Sequence, residues 1–168
     1  SHKKGFLAVR KLLQHIDYND FDLYYDEFGK PNIKPQGCHV RAINISISHS
    51  HGFSAIAISE KNIGIDIEIL KEKIIKIAPK FMEVIKLENL EIEDKIKKAT
   101  VIWGIKESIF KIKNEPGISF PNHIFEEDFN FKDKKTIAKL DFNNKVENFA
   151  IEFDSFEDYM FVCAFENI

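Results

Sequence analysis

The sequence predicts an α+β fold with antiparallel sheets, and three observations carry that expectation. Apolar residues recur at helical spacing near the N-terminus, then alternate strictly with polar ones over residues 43–69. From Lys71 to Lys113 the period becomes helical again, and residues 118–168 read as short alternating segments split by Asp, Asn and Glu turns. Strands grouped apart from helices argue against a parallel α/β sheet.

Phe6, Leu7, Val9, Leu12, Leu13 and Ile16 give an amphipathic helix over 3–16. Turn chemistry at Asp17–Asp20 and at Phe28-Gly29-Lys30-Pro31 brackets a short strand over Phe21–Tyr25. Ile43, Ile45 and Ile47 alternate with Asn44, Ser46 and Ser48 as a half-buried strand. Strands over Phe53–Ser59 and Ile63–Ile69, joined by Glu60-Lys61-Asn62, extend it to an antiparallel meander. A helical segment over 72–79 is broken by Pro79. A longer helix covers 93–112, with Pro116 and Gly117 as its stop. Strands are expected near 123–126, 136–142, 147–153 and 159–165. No repeat or low-complexity segment is visible.

With 168 residues, 44% hydrophobic and 16 Phe, the chain can bury a substantial core, as one domain or two small lobes. A formal charge of -3 argues against a partner held by bulk attraction to nucleic acid. Two cysteines, Cys38 and Cys163, lie far apart without a CxxC pattern, so neither a disulfide framework nor a thiolate metal site is expected. Cys163, in the apolar run Met160–Phe165, reads as a small buried hydrophobe. No membrane-spanning run or signal peptide is found, which points to the cytoplasm. The start at Ser1, without an initiator Met, leads us to expect residues upstream.

Four segments carry candidate chemistry. In Gly64-Ile65-Asp66-Ile67-Glu68, strand alternation puts Asp66 and Glu68 on one face and the isoleucines on the other. Paired carboxylates without His or Cys suit magnesium, and an acidic solvated face is the competing explanation. In Trp103-Gly104-Ile105-Lys106-Glu107-Ser108, helical spacing sets Glu107 beside Lys111, as a site or as an ordinary ion pair. Gly104 in mid-helix reads as close approach of another backbone or a ligand, with simple tolerance of the glycine as the alternative. Ser46-Ile47-Ser48-His49-Ser50-His51 is either a phosphate-binding hydroxyl and imidazole cluster or a polar strand terminus. A zinc site through His49 and His51 would lack ligands. Gly29-Lys30-Pro31 alone is a turn with one cation.

In this order, Gly29-Lys30-Pro31, Ser48-His49-Ser50, Gly64–Glu68 and Trp103–Ser108 with Lys111 together resemble the surfactin-synthetase-activating type of 4′-phosphopantetheinyl transferase. Leu7-Ala8-Val9-Arg10, Gly117–Pro121 and Met160–Phe165 extend the resemblance over nearly the whole chain. It implies two similar α+β lobes related by pseudo-two-fold symmetry, here 1–62 and 63–168, with the carboxylates in the second. A shorter, homotrimeric class carries its aspartate motif close to the N-terminus. The motif at Gly64 is similar instead to the monomeric type, although the upstream half is short against the family pattern.

The resemblance also implies a reaction, in which phosphopantetheine passes from coenzyme A to a serine of an apo acyl or peptidyl carrier protein, releasing 3′,5′-ADP. It assigns Asp66, Glu68 and Glu107 to magnesium, with Glu107 and Lys111 catalytic. Arg10, Gly29, Lys30, Pro31, Ser48, His49 and Lys106 are assigned to coenzyme A, with Lys3 and Lys4 as further candidates. The carrier's acidic helix is expected to dock at Lys71–Met82. The alternatives are a non-catalytic coenzyme A or nucleotide-binding relative and a metal-dependent phosphohydrolase. His51 has no role in this scheme.

Overall fold

The structure is a computed structural model that describes residues 2–34 and 43–166, with side chains from Gly5 onward. Cys38 and the side chains of Lys3 and Lys4 lie outside the described residues. Mixed helices and antiparallel sheets are found, as the periodicities predict.

Helix α1 (His2–His15) buries Val9 and Leu13, one turn apart, against Ile33 and Ile45. Strands β1 (Leu23–Tyr25) and β2 (Pro31–Ile33) form a hairpin around the Gly29 turn. Sequence reading leaves β2 as part of that turn. Asp26 builds the turn by accepting the N–H groups of Phe28 and Lys30 at 2.9 Å each, and Gly29 supplies the required positive φ of 78°.

Strands β3 (Asn44–Ser50) and β4 (Phe53–Ser59) pair antiparallel, and there the predicted meander stops. Strand β5 (Ile63–Ile69) pairs with the last strand, β9 (Tyr159–Glu166), placing Asp66 opposite Val162. The reason lies in β3, whose Ser46, Ser48 and Ser50 hydroxyls accept the N–H groups of Ile65, Ile67 and Ile69 at 3.0, 3.1 and 3.2 Å. Side chains thus occupy an edge that a backbone ladder would otherwise fill.

Between these strands, α2 (Lys73–Ile77) gives way at Pro79 to a single 3₁₀ turn over Ala78–Lys80, as Pro79 predicts. A second 3₁₀ turn, unpredicted, covers Val84–Leu87. Helix α3 (Ile92–Lys113) crosses the five-stranded sheet β5-β9-β8-β7-β6, where β6 is Ile124–Glu126, β7 Lys135–Phe142 and β8 Lys145–Phe156. A short turn of helix, α4 (Phe120–His123), leads into β6. Two glycines permit the crossing. A Cβ on Gly64 would lie 1.9 Å from the Ser108 carbonyl oxygen, and one on Gly104 would lie 2.5 Å from Val162 Cγ2. Gly104 therefore answers to a packed strand side chain and not to a ligand. Val101, Ile105 and Ile109 of α3 are fully buried against Phe149, Ile151 and Val162.

Asn114, left-handed at φ 47°, ends α3 two residues before Pro116, its N–H returning to the Phe110 carbonyl. Cys163 is buried, and burial pushes its thiol up to about 12. The expected pseudo-two-fold pair of lobes is not evident. Among the described residues, a helix with two two-stranded sheets precedes Asn62, whereas the five-stranded sheet under α3 follows it.

Candidate functional site

A cleft of about 380 Å³ opens where the β1–β2 turn meets β3 and the C-terminal half of α3. Gly29, Lys30, Pro31, His49, Glu107 and Lys111 all line it, so three segments remote in sequence converge there. Tyr25, Phe110 and Asn114, which sequence reading did not single out, complete much of the wall. Their signal was available only for Phe110 and Asn114, which sit beside Lys111 on α3 or just past its end.

Lys111 anchors the floor. Its ammonium donates to Asp66 Oδ1 at 2.9 Å, the Ile65 carbonyl at 2.8 Å and Ser48 Oγ at 3.2 Å. Ser48 in turn donates to Asp66 Oδ1 at 2.9 Å. Asp66 is 4% exposed, and its second oxygen, Oδ2, is buried without a hydrogen-bond partner. Burial first, and then the charge of Asp66, raise the Glu107 carboxyl above its ordinary range. Lys111 opposes that rise and Glu68 adds to it. Glu68 is raised by burial and by Asp66, against hydrogen bonds from Ser50 and Trp103.

Three carboxylates thus share a poorly solvated neighbourhood with one ammonium group. That surplus of negative charge and the unpartnered Asp66 oxygen suit a hard divalent cation in charge and donor type. Among the described residues, however, no three His, Cys, Asp or Glu side chains already stand as a metal shell. Lys111 serves as counter-charge on Asp66 instead.

Seen against known proteins, residues 62–164 match the 4′-phosphopantetheinyl transferase superfamily, which is more than half of the chain. The chain belongs to this superfamily. It is 32% identical over 167 residues to the 4′-phosphopantetheinyl transferase gsp of Aneurinibacillus migulanus, an alignment covering 95% of this chain and 66% of that protein. It is 29% identical over 123 residues to the 4′-phosphopantetheinyl transferase Sfp of Bacillus subtilis (strain 168), covering 70% of this chain and 53% of that one. The chain therefore spans about two thirds and half of these two relatives.

Not every residue assigned by resemblance to this superfamily reaches the cleft. Lys106 is 2% exposed and turns to another side of α3, donating to the Ile124 and Phe120 carbonyls and pairing with Glu126 Oε2 at 3.1 Å. Burial lowers its ammonium despite the opposing pull of Glu126. The reason is helical geometry, since successive residues point about 100° apart. Arg10 lies outside the cleft lining, stacked 3.9 Å over the Phe6 ring and paired with Asp20 at 3.3 Å. Ser48 is buried behind the cleft, at 4% exposure, and serves Asp66. Lys30 lines the cleft yet donates to the Ile112 carbonyl at 2.6 Å, closing the end of α3, and burial lowers its ammonium. His49 lines the cleft with Nδ1 2.8 Å from Ser54 Oγ.

Of the expected docking segment, Phe81 and Met82 are core residues, 1% and 6% exposed, packed with Ala99 and Ile102. Its exposed residues are Lys71, Glu72, Lys73, Lys76, Pro79 and Lys80, and Glu83, Val84 and Ile85 continue the exposed stretch. His51, left-handed at φ 48°, ends the β3 side of its hairpin and accepts from Lys71 at 2.6 Å.

Proposed function

We propose that this protein transfers the 4′-phosphopantetheine arm of coenzyme A to a serine hydroxyl of an apo acyl or peptidyl carrier protein, releasing 3′,5′-ADP. The observation that carries the proposal is the convergence of Gly29-Lys30-Pro31, His49, Glu107 and Lys111 on one cleft of suitable size, beside Asp66. Superfamily membership and similarity to two proteins named as 4′-phosphopantetheinyl transferases support the reaction class.

The reaction needs a nucleophile deprotonated and negative charge on a diphosphate stabilised. Asp66, Glu68 and Glu107 would hold a magnesium ion, which when bound supplies neutralisation of the diphosphate oxygens. Glu107, raised above the usual carboxylate range by burial and by Asp66, is suited to take the serine proton. Lys111, fixed by Asp66 and the Ile65 carbonyl, offers positive charge to the departing phosphate. Lys30 and His49 would orient coenzyme A from the opposite wall. We assign residues 1–62 to an N-terminal lobe and 63–168 to a C-terminal lobe that carries the carboxylates, with coenzyme A held between them. A monomer working in the cytoplasm is the accompanying proposal.

The test is the intact mass of several apo carrier proteins after incubation with this protein, coenzyme A and magnesium. A gain of one phosphopantetheine is expected, with Glu107→Gln slowing it by on the order of 10²–10⁴-fold. No gain, with coenzyme A still bound, would favour a non-catalytic relative, and release of inorganic phosphate would favour a phosphohydrolase.

A further inference from the structure

Ser46, Ser48 and Ser50 alternate along β3 and are all nearly sealed from solvent, at 3%, 4% and 6% exposure. Each hydroxyl accepts one N–H group from β5, in a constant register of 19 residues: Ile65, Ile67 and Ile69. Without them these inward N–H groups of β5 would be buried and unpaired, which is unfavourable. A hydroxyl that accepts still has its own proton to give. Ser48 gives it to Asp66 Oδ1 at 2.9 Å, and Ser50 gives it to Glu68 Oε2 at 3.0 Å, both 18 residues along. Ser50 Oγ also lies 3.5 Å from His51 Nδ1, the longest of its three contacts.

At the same offset from Ser46 stands Gly64, which has no carboxylate to receive a proton. The three rungs are therefore alike toward the backbone and unlike toward the site. Ser46 holds the strand and lines the cleft, but it has no carboxylate to orient. Ser48 and Ser50 hold the strand and a carboxylate together.

We infer that Ser50 is a positioning residue: it holds the Glu68 carboxylate in the acidic cluster with Asp66, so that a divalent cation is received without first ordering that side chain. This rests on the metal assignment proposed above. The Asp66 oxygen left buried without a partner is an independent sign that this cluster takes a cation. Ser50 touches neither coenzyme A nor carrier in this scheme, and its effect passes through Glu68. Groups that orient metal ligands commonly change metal affinity by about 10–100-fold when removed.

The experiment uses the chain with manganese as probe, in the absence of coenzyme A and carrier. Bound Mn²⁺ is read by electron paramagnetic resonance, and stability is read by urea unfolding. Ser50→Ala is expected to weaken Mn²⁺ binding by about 10-fold or more, and Ser50→Thr to restore most of it. Ser46→Ala removes the equivalent backbone hydrogen bond. It is expected to lower the urea midpoint as Ser50→Ala does, while keeping Mn²⁺ affinity within about two-fold. Equal losses in Ser46→Ala and Ser50→Ala would reduce Ser50 to a structural role and overturn the inference, as would a Ser50→Thr as weak as Ser50→Ala. If Ser50→Ala does not fold, Ser50→Cys, a weak donor, is expected to bind Mn²⁺ several-fold more loosely, and unchanged affinity would overturn the inference. A wild-type chain that neither binds Mn²⁺ nor modifies any carrier would defeat the metal assignment and this inference together. Mn²⁺ binding unchanged by the serine substitutions would defeat the inference alone.

Discussion

Lys106 and Glu107 are chain neighbours with opposite fates. Glu107 lines the cleft, while Lys106 is sealed under α4 and β6 with Glu126, which Lys86 also contacts at 2.5 Å. Taking away one member of such a buried group leaves the others undersatisfied. Lys106→Met is therefore expected to cost about 3 kcal/mol in urea unfolding, the lower end of the usual range because Lys86 still pairs with Glu126. Coenzyme A affinity measured by calorimetry should be unchanged. A large loss of affinity at intact stability would return Lys106 to the cleft. The motif Trp103–Ser108 was legible in the sequence, but the direction of each side chain depended on which face of α3 met the sheet. Asp26 was illegible as a turn builder for a related reason, since its two bonds to Phe28 and Lys30 exist only once the hairpin closes.

Helix α3 is held against the sheet by two absences of side chain. Gly104→Ala places a methyl group 2.5 Å from Val162 Cγ2, an overpacking expected to cost about 1–3 kcal/mol in denaturant unfolding. Gly64→Ala meets a backbone carbonyl instead, so it should be worse than Gly104→Ala in the same assay. The ends of α3, β5 and β9 are tied by a second device. Asn62 donates to Glu166, and Lys113 bridges Glu147 at 2.7 Å and Glu166 at 3.4 Å. The Asn62 hydrogen bond first, and Lys113 beside it, hold the Glu166 carboxyl below its ordinary 4.5. A depressed carboxyl contributes stability above its unfolded value and loses it as pH falls through the folded one. The melting temperature of Glu166→Gln should therefore fall below wild type at pH 7. The gap should close as the pH drops from about 4.5 downward. A gap independent of pH would mean that packing, and not the charge, matters at that corner.

Across the chain, the site forms where the β1–β2 turn and β3 face α3 and β5, and the serine rungs of β3 are what join these layers. Beside it, Lys73, Lys76 and Lys80 are exposed together with Val84 and Ile85, and Lys71 adds to an excess of positive charge over the exposed Glu72 and Glu83, a net cationic surface with apolar ground suited to an acidic helix. Reversing Lys73 and Lys76 to Glu is expected to raise the carrier KM by about 10-fold at low salt while leaving the coenzyme A KM unchanged. Steady-state kinetics against both substrates checks this, and equal shifts in the two would place docking elsewhere.

Periodicity determined the α+β class, the last four strands and the long helix, because hydrophobic alternation follows directly from which face each element buries, and proline's missing N–H determined the break at Pro79. The order of motifs determined the superfamily. Strand pairing was decided only in three dimensions: β5 joins β9 across 90 residues of chain because β3 meets it with hydroxyl groups in place of a backbone ladder. The partners of Ser48, Lys106 and Arg10 were decided there too. A side chain's chemistry is written in its type, but its partner is set by the faces that packing brings together.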